Sequence, residues 1–186
     1  MVAGGEAHLV EIAPAVPDDE ILSRRSDEHL PRALGLAYYI LGDTCEAEEA
    51  TQEAMAQAWR ARRSLRRIES FEAWFDRILV NTCRKKMRRH RRLNEMVIPI
   101  DERVEQVLGA GDGAATVLDR DLVGRALMSL TVDQRIVVVL RYWRDLSLEQ
   151  ISERLGWPLG TVKSRLHYAL AGLREQLERD DAEVQR

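Results

Sequence analysis

A chain of 186 residues has room for one ordinary domain or two small ones. Its 45% hydrophobic fraction argues against global disorder, and its 5% aromatic content and few glycines and prolines argue against long β-sandwich patterns. The net charge of -3 hides a local imbalance: residues 60–92 carry 13 basic and 3 acidic groups, against 3 and 12 in residues 1–59 and 2 and 7 in residues 93–121. Such a block is an electrostatic footprint for a polyanion, set in an otherwise acidic chain.

Residues 1–24 mix Pro, Gly and acids without a sustained period and read as a mobile tail. They lack the basic start and apolar run of a signal peptide. Helical periodicity begins at Asp27, with Leu30, Leu34, Ala37 and Leu41 on one face. A second helix spans about Glu46 to Arg62, with Ala50, Ala54, Met55, Ala58 and Trp59 inward. Ser70 is a good N-cap for a third helix, in which Phe71, Trp74, Phe75, Ile78, Leu79 and Thr82 form one buried stripe. That helix ends in "RKKMRRHRR", Arg84 to Arg92. An acidic linker follows at 94–121, with a turn of helix near Glu102–Leu108.

The second ordered region starts near Leu122 with "LVGRALMSL". Thr131 with Gln134, and Ser147 with Gln150, are capping boxes for two further helices. The run Val137–Val139 suits a strand, but Ile136, Val139, Leu140 and Trp143 also fit a helical face and no partner strand is evident, so it reads as helix. Gly156 stops the second of these helices and Pro158 suits the first turn of the last one. There Val162, Leu166, Leu170, Leu173 and Leu177 repeat every three to four residues. The fold class is therefore all-α: a tail at 1–24, a three-helix bundle at 25–93, a flexible linker at 94–121, a second helical domain at 122–180 and a short tail at 181–186.

Two helices parted by "LGWP", the second basic at its start, form a helix-turn-helix. Its second helix would lie in the major groove, presenting Thr161, Lys163, Ser164, Arg165, His167 and Tyr168 outward or sideways. Lys163 and Arg165 suit guanine edges or phosphates. The start of the first helix, Ser147 with Arg144, could hold a phosphate. The bland alternative is a surface hairpin with solvated charges. In Arg84–Arg92, seven Lys/Arg in nine residues repel one another, and a polyanion relieves that repulsion by counterion release. Phe71 and Phe75 read as core, while Trp74 stays open between core and base stacking. Glu46, Glu49, Gln52 and Glu53 make an acid–amide stripe that is either solvated or a docking patch. No catalytic constellation, cofactor loop or metal motif stands out: His8, His29, His90 and His167 are scattered, and Cys45 and Cys83 read as reduced thiols. No run approaches the ~20 apolar residues of a membrane span, so the chain reads as cytoplasmic.

The stretches "LGDTCEAEEATQEAMAQAWRA", "SFEAWFDRILVNTCRKKMRR" and "LTVDQRIVVVLRYWRDLSLEQISERLGWPLGTVKSRLHYALAGLREQL" together resemble extracytoplasmic-function (ECF, group IV) sigma factors of the sigma-70 family. The likeness covers about 27–92 and 122–178, in the family's order. It implies a promoter-specificity subunit of RNA polymerase that is not itself an enzyme and needs no cofactor or metal. Domain 2 would bind the β′ clamp helices of core polymerase through Glu49, Gln52 and Glu53. Its third helix would open the minus-ten element and capture a flipped base, with Trp74, Arg77, Asn81, Arg84 and Lys85 on DNA. Domain 4 would read the minus-thirty-five element through Thr161, Lys163, Ser164, Arg165 and His167 and rest on the β flap. The acidic linker would run through the active-site cleft, and an anti-sigma protein is a further candidate partner. Ala50, Thr51 and Ala54 are smaller or more polar than the family's usual residues. "LVNTCRKK" departs from its usual run, so minus-ten preferences do not carry over. A stand-alone helix-turn-helix regulator would instead carry a ligand, receiver or dimerisation module first. A sigma-like decoy would not need Lys163, Arg165 and the basic run.

Overall fold

The structure, a computed structural model, describes residues 19–65, 67–93 and 117–184. Among them every regular element is helical: α1 Asp19–Leu41, α2 Thr44–Ala61, α3 Phe71–Leu93, α4 Val117–Ser129, α5 Val132–Tyr142, α6 Leu148–Leu155 and α7 Leu159–Val184. Each boundary has a local cause. Gly42, at φ +80, takes the left-handed conformation that ends α1. Asp43 caps α2 by accepting from the Glu46 N–H at 2.6 Å. Both capping boxes expected for α5 and α6 form. Val137–Val139 lie inside α5, so the helical reading of that run is correct.

The α1–α3 core is built from Leu36, Ile40, Phe75, Leu79 and Val80, all at most 1% exposed. Fully burying one such side chain stabilises the fold by ~1.5–3 kcal/mol. The same buried cluster continues through Ile136, Leu140, Ile151 and Val162, so α5, α6 and α7 share it. A smaller cluster, Leu127, Leu130, Val138 and Ala169, joins α4, α5 and α7. The helices before and after the undescribed stretch therefore pack on one another, with α1 and α3 against α5 and α3 also against α6. Arg135, 3% exposed, fastens this seam. Its guanidinium donates to Leu127 O, Met128 O and Leu130 O around the end of α4, and to Ile40 O in the last turn of α1.

Several expectations need correction. Residues 19–24 belong to α1, not to a tail, because Leu22 is 3% exposed in the core and Asp19 bonds Arg62 Nε at 2.9 Å. The buried face of α1 runs through Leu22, Ser26, His29, Ala33, Leu36 and Ile40, which turns Leu30 outward at 41% exposure. Trp59 is exposed, under the Arg62 guanidinium, while Ala50, Ala54 and Ala58 face the core as expected. Ser70 closes a 3-10 turn, Ile68–Ser70, that runs straight into α3. Val117–Asp121, expected in the linker, are helical, and the turn expected near Glu102–Leu108 lies outside the described residues. Pro158 precedes α7 and supplies the carbonyl that accepts from the Thr161 and Val162 N–H groups. In α7 the 3.6-residue period buries Ala169 and leaves Leu170 exposed.

Candidate nucleic-acid interface

α6 and α7 form the helix-turn-helix. Ile151 and Leu155 of α6 and Val162 of α7 are buried, which fixes the angle between the helices. Gly156, at φ +66, turns the chain, and the Trp157 N–H returns to Ser152 O at 3.1 Å. This leaves Lys163, Ser164 and His167 exposed at the start of α7 and Thr161 half-buried. Arg165 is drawn aside. Its Nη2 bonds Asp133 Oδ2 at 2.8 Å and its guanidinium stacks 4.0 Å from the Trp157 ring centre.

Asp133 and Trp157 also hold a residue of α3. Arg84 donates to Asp133 from Nε at 2.8 Å and from Nη2 at 3.2 Å, and lies 5.0 Å from the Trp157 ring centre. Arg77 is exposed at its edge, yet its Nη2 stands 3.1 Å from where a Cβ on Gly156 would sit. Asn81 and Lys85 are exposed on α3. Trp74 is half-buried, 6.0 Å from Phe71, while Phe71 and Phe75 are core as expected. The side chains of His90, Arg91 and Arg92 lie outside the described residues. The structure thus brings Arg84 and Arg165, expected on two separate surfaces, to one carboxylate.

Glu49, Gln52 and Glu53 are exposed on α2, away from that seam. Lys86 of α3 donates to Glu46 and Glu49, each at 2.8 Å, and its ammonium holds the Glu49 carboxyl below the ordinary carboxylate range. Glu53 accepts from Gln57 at 3.0 Å. The cysteines are free: Cys45 is exposed, while burial pushes the Cys83 thiol up to about 12.

The α6 start does not offer the expected phosphate pocket. Glu149 occupies it, its carboxyl lowered by hydrogen bonds from its own backbone N–H and from Ser147. Arg144 points away and donates to Asp76 Oδ1 at 2.6 Å. Asp76, fully buried on α3, is the residue that sequence reasoning missed. Arg154 also donates to it, and His29 Nε2 lies 3.2 Å from its Oδ1. Burial alone would raise this carboxyl. The His29 hydrogen bond and the charge and hydrogen bond of Arg144 outweigh burial and hold it below the ordinary range. The available signal was an acid on the buried stripe of a basic helix, with Leu79, Val80 and Cys83 on the same side.

The two halves of the chain match known modules. The sigma-70 region 2 family matches residues 26–93, and the sigma-70 region 4 family matches residues 126–175. The RNA polymerase sigma-E factor of Streptomyces antibioticus is 36% identical over 169 residues, 89% of this chain and 87% of that one. The ECF RNA polymerase sigma factor SigL of Mycobacterium tuberculosis is 33% identical over 153 residues, 82% and 86% of the two chains. A solved structure of the sigma factor RpoE with the anti-sigma factor NepR, from Bartonella quintana, superposes with a TM-score of 0.66 at 25% identity. It covers 84% of this chain and 96% of that one.

An all-helical chain with a region 2 module followed by a helix-turn-helix region 4 is a sigma-70-type transcription factor. This chain belongs to the sigma-70 family as an ECF sigma factor, a regulatory subunit that acts with RNA polymerase in promoter-specific transcription initiation. Among the described residues no helix is long and apolar enough to cross a membrane.

Proposed function

We propose that this sigma factor docks on the β′ clamp helices of core polymerase through Glu49, Gln52 and Glu53. In the complex it reads the minus-thirty-five element with Thr161, Lys163, Ser164, Arg165 and His167, and opens the minus-ten element with Trp74, Arg77, Asn81, Arg84 and Lys85. The observation that carries this reading is the start of α7. Lys163, Ser164 and His167 stand exposed directly after a left-handed glycine turn, the place where a recognition helix meets base edges. The exposed acid–amide patch on α2 supports the docking role. Residues 19–93 then act as the polymerase and minus-ten module, 94–116 as the connecting strap through the cleft and 117–180 as the minus-thirty-five module on the β flap. The named partner of the Bartonella quintana RpoE structure makes an anti-sigma protein a candidate partner here. The site of action is the cytoplasm, where polymerase and DNA are.

Run-off transcription with core polymerase on a promoter library tests this reading. Specific initiation that needs both the sigma factor and core is expected. No initiation from any promoter would overturn it.

A further inference from the structure

Trp157 stands in the turn between α6 and α7 on a fixed backbone. Its N–H donates to Ser152 O at 3.1 Å, and Ser152 Oγ donates to Trp157 O at 2.6 Å. Gly156, in the left-handed region at φ +66, sets the direction in which the chain enters that turn. The indole ring is half-buried and packs on the main buried cluster, so it is a firm platform rather than a free side chain. The Arg165 guanidinium lies 4.0 Å from the ring centre, and its Nη2 is 2.8 Å from Asp133 Oδ2. Asp133 is anchored in turn, in the first turn of α5 behind the Thr131–Gln134 capping box. Arg84 of α3 reaches the same ring and the same carboxylate. Yet Trp157, Asp133 and Arg165 all belong to the region 4 module, so the clamp on Arg165 is complete without α3. Lys163 has no such seat. It is exposed, and the carboxylate that feels its charge is that of the exposed Glu149.

An arginine held in this way differs from a free one in two respects. A long side chain loses rotamer freedom when it binds, and a guanidinium stacked on a ring and tied at one nitrogen has already lost it. Stacking uses its flat face and the ion pair uses Nη2, which leaves the in-plane donors of Nε and Nη1 to a second partner. The other respect is the nature of that partner. A phosphate arriving at Arg165 meets the Asp133 charge and is repelled, whereas O6 and N7 of a guanine are neutral acceptors without that penalty.

We propose that Trp157 and Asp133 are positioning residues for Arg165 in promoter readout. The ring and the carboxylate hold its guanidinium ready for a guanine of the upstream element and make it a poor seat for a phosphate. This rests on the reading that Arg165 contacts that element. Sequence discrimination then depends on a tryptophan and an acid that need not touch the DNA themselves.

The test is run-off transcription with core polymerase, in competition between the parent promoter and a series changed one base pair at a time across the upstream element. The readout is the ratio of the two transcripts. Arg165→Ala should lower this ratio roughly 5- to 150-fold at one base pair, as loss of a bidentate contact does. Trp157→Leu and Asp133→Asn should each lower it at that same base pair by about 2- to 10-fold, the effect of ordering one long side chain, and leave the other positions unchanged. Combined with Arg165→Ala, neither should lower it further. Trp157→Phe keeps a ring under the guanidinium and should restore most of the selectivity. Asp133→Asn, which keeps the side-chain volume, decides the matter if Trp157→Leu loses its helical circular dichroism. Binding of Asp133→Asn to random-sequence duplex without core should strengthen, so affinity and selectivity move in opposite directions, which loosened packing does not produce. An equal loss at every base pair in the clamp variants, or a loss that adds to that of Arg165→Ala, means that the two residues only support the fold of region 4 and overturns the proposal. An Arg165→Ala variant that changes the ratio at no base pair overturns the underlying reading of Arg165 as well, and that variant alone tells the two failures apart.

Discussion

Arg135→Met removes one cation from the seam between the modules while roughly keeping its volume. Three carbonyls then lose the guanidinium as donor, Ile40 O at 2.6 Å, Met128 O at 3.0 Å and Leu130 O at 3.2 Å, while Leu127 O loses its 2.8 Å bond but keeps the Leu130 N–H at 3.2 Å. Those of Met128 and Ile40 belong to the last turns of α4 and α1, where the intrahelical ladder runs out. The cation also faces the negative ends of those two helix dipoles. Each buried carbonyl left unpaired costs ~1–3 kcal/mol, and partial relaxation or entry of water recovers some of it. A total of about 4 kcal/mol follows. At ~2–4 °C per kcal/mol for a chain of this size, the melting temperature should fall by roughly 8–16 °C. Arg135→Lys keeps a charge and three donors on a shorter reach, so its loss should be about half as large. Thermal unfolding followed by circular dichroism at 222 nm measures both. A loss below ~1 kcal/mol in Arg135→Met would refute the reasoning, since it would mean that water already serves these carbonyls.

With core polymerase present, Arg165→Ala should relax selectivity at the upstream element by ~1–3 kcal/mol while leaving core affinity unchanged, measured by competition between promoter variants. Acid should destabilise the fold through Asp76. A carboxyl whose folded value lies below its ordinary 3.8 adds stability at higher pH and loses it as pH falls from 3.8 through the folded value. The urea midpoint should therefore hold steady from neutral pH to about 5 and fall below 4. His29, Arg144 and Arg154 face this carboxyl and Glu72 faces His29, so the readout is the difference between the parent and Asp76→Asn, whose stability should show no such step.

The helices and the two capping boxes were legible because their causes are local. A Thr–Gln or Ser–Gln pair at i, i+3 is visible in the sequence and needs no other part of the chain. The recognition turn was legible for the same reason, since Gly156 must adopt a left-handed φ wherever α6 packs. What escaped were contacts between residues far apart in sequence. Ser26 and His29 are buried in α1, yet hydropathy counts them as polar, so the periodicity seemed to start late and took in the exposed Leu30, although Ala37 and Leu41 are buried as expected. Asp76 reads as one charge among many on a basic helix until Arg144 and Arg154 arrive from 68 and 78 residues away. Likewise Arg84 and Arg165 were assignable to two surfaces by residue type, but no spacing rule states that both turn to Asp133.

The two carboxylates of the seam carry different loads, and Asp133→Asn separates them. Asp133, Arg84 and Arg165 have side chains 22–28% exposed, beside a cleft of about 180 Å³ lined by Arg84, Met87, Arg88, Thr131, Val132 and Asp133. Water reaches these pairs and screens them, so they should stabilise the chain by no more than ~1 kcal/mol. Losing an acid from the first turn of α5 costs a further ~0.3–1 kcal/mol through the helix dipole. Asp76 lies in a dry site, and removing its charge should cost ~3–5 kcal/mol. Asp133→Asn should therefore melt close to the parent, yet bind random duplex DNA more tightly, because Arg84 and Arg165 no longer face a competing carboxylate. Its urea midpoint, with the slope checked for constancy, gives the stability difference directly. A loss as large as that of Asp76→Asn would show that Asp133 holds the modules together rather than covering their arginines. An unchanged DNA affinity would show that a phosphate displaces Asp133 at negligible cost.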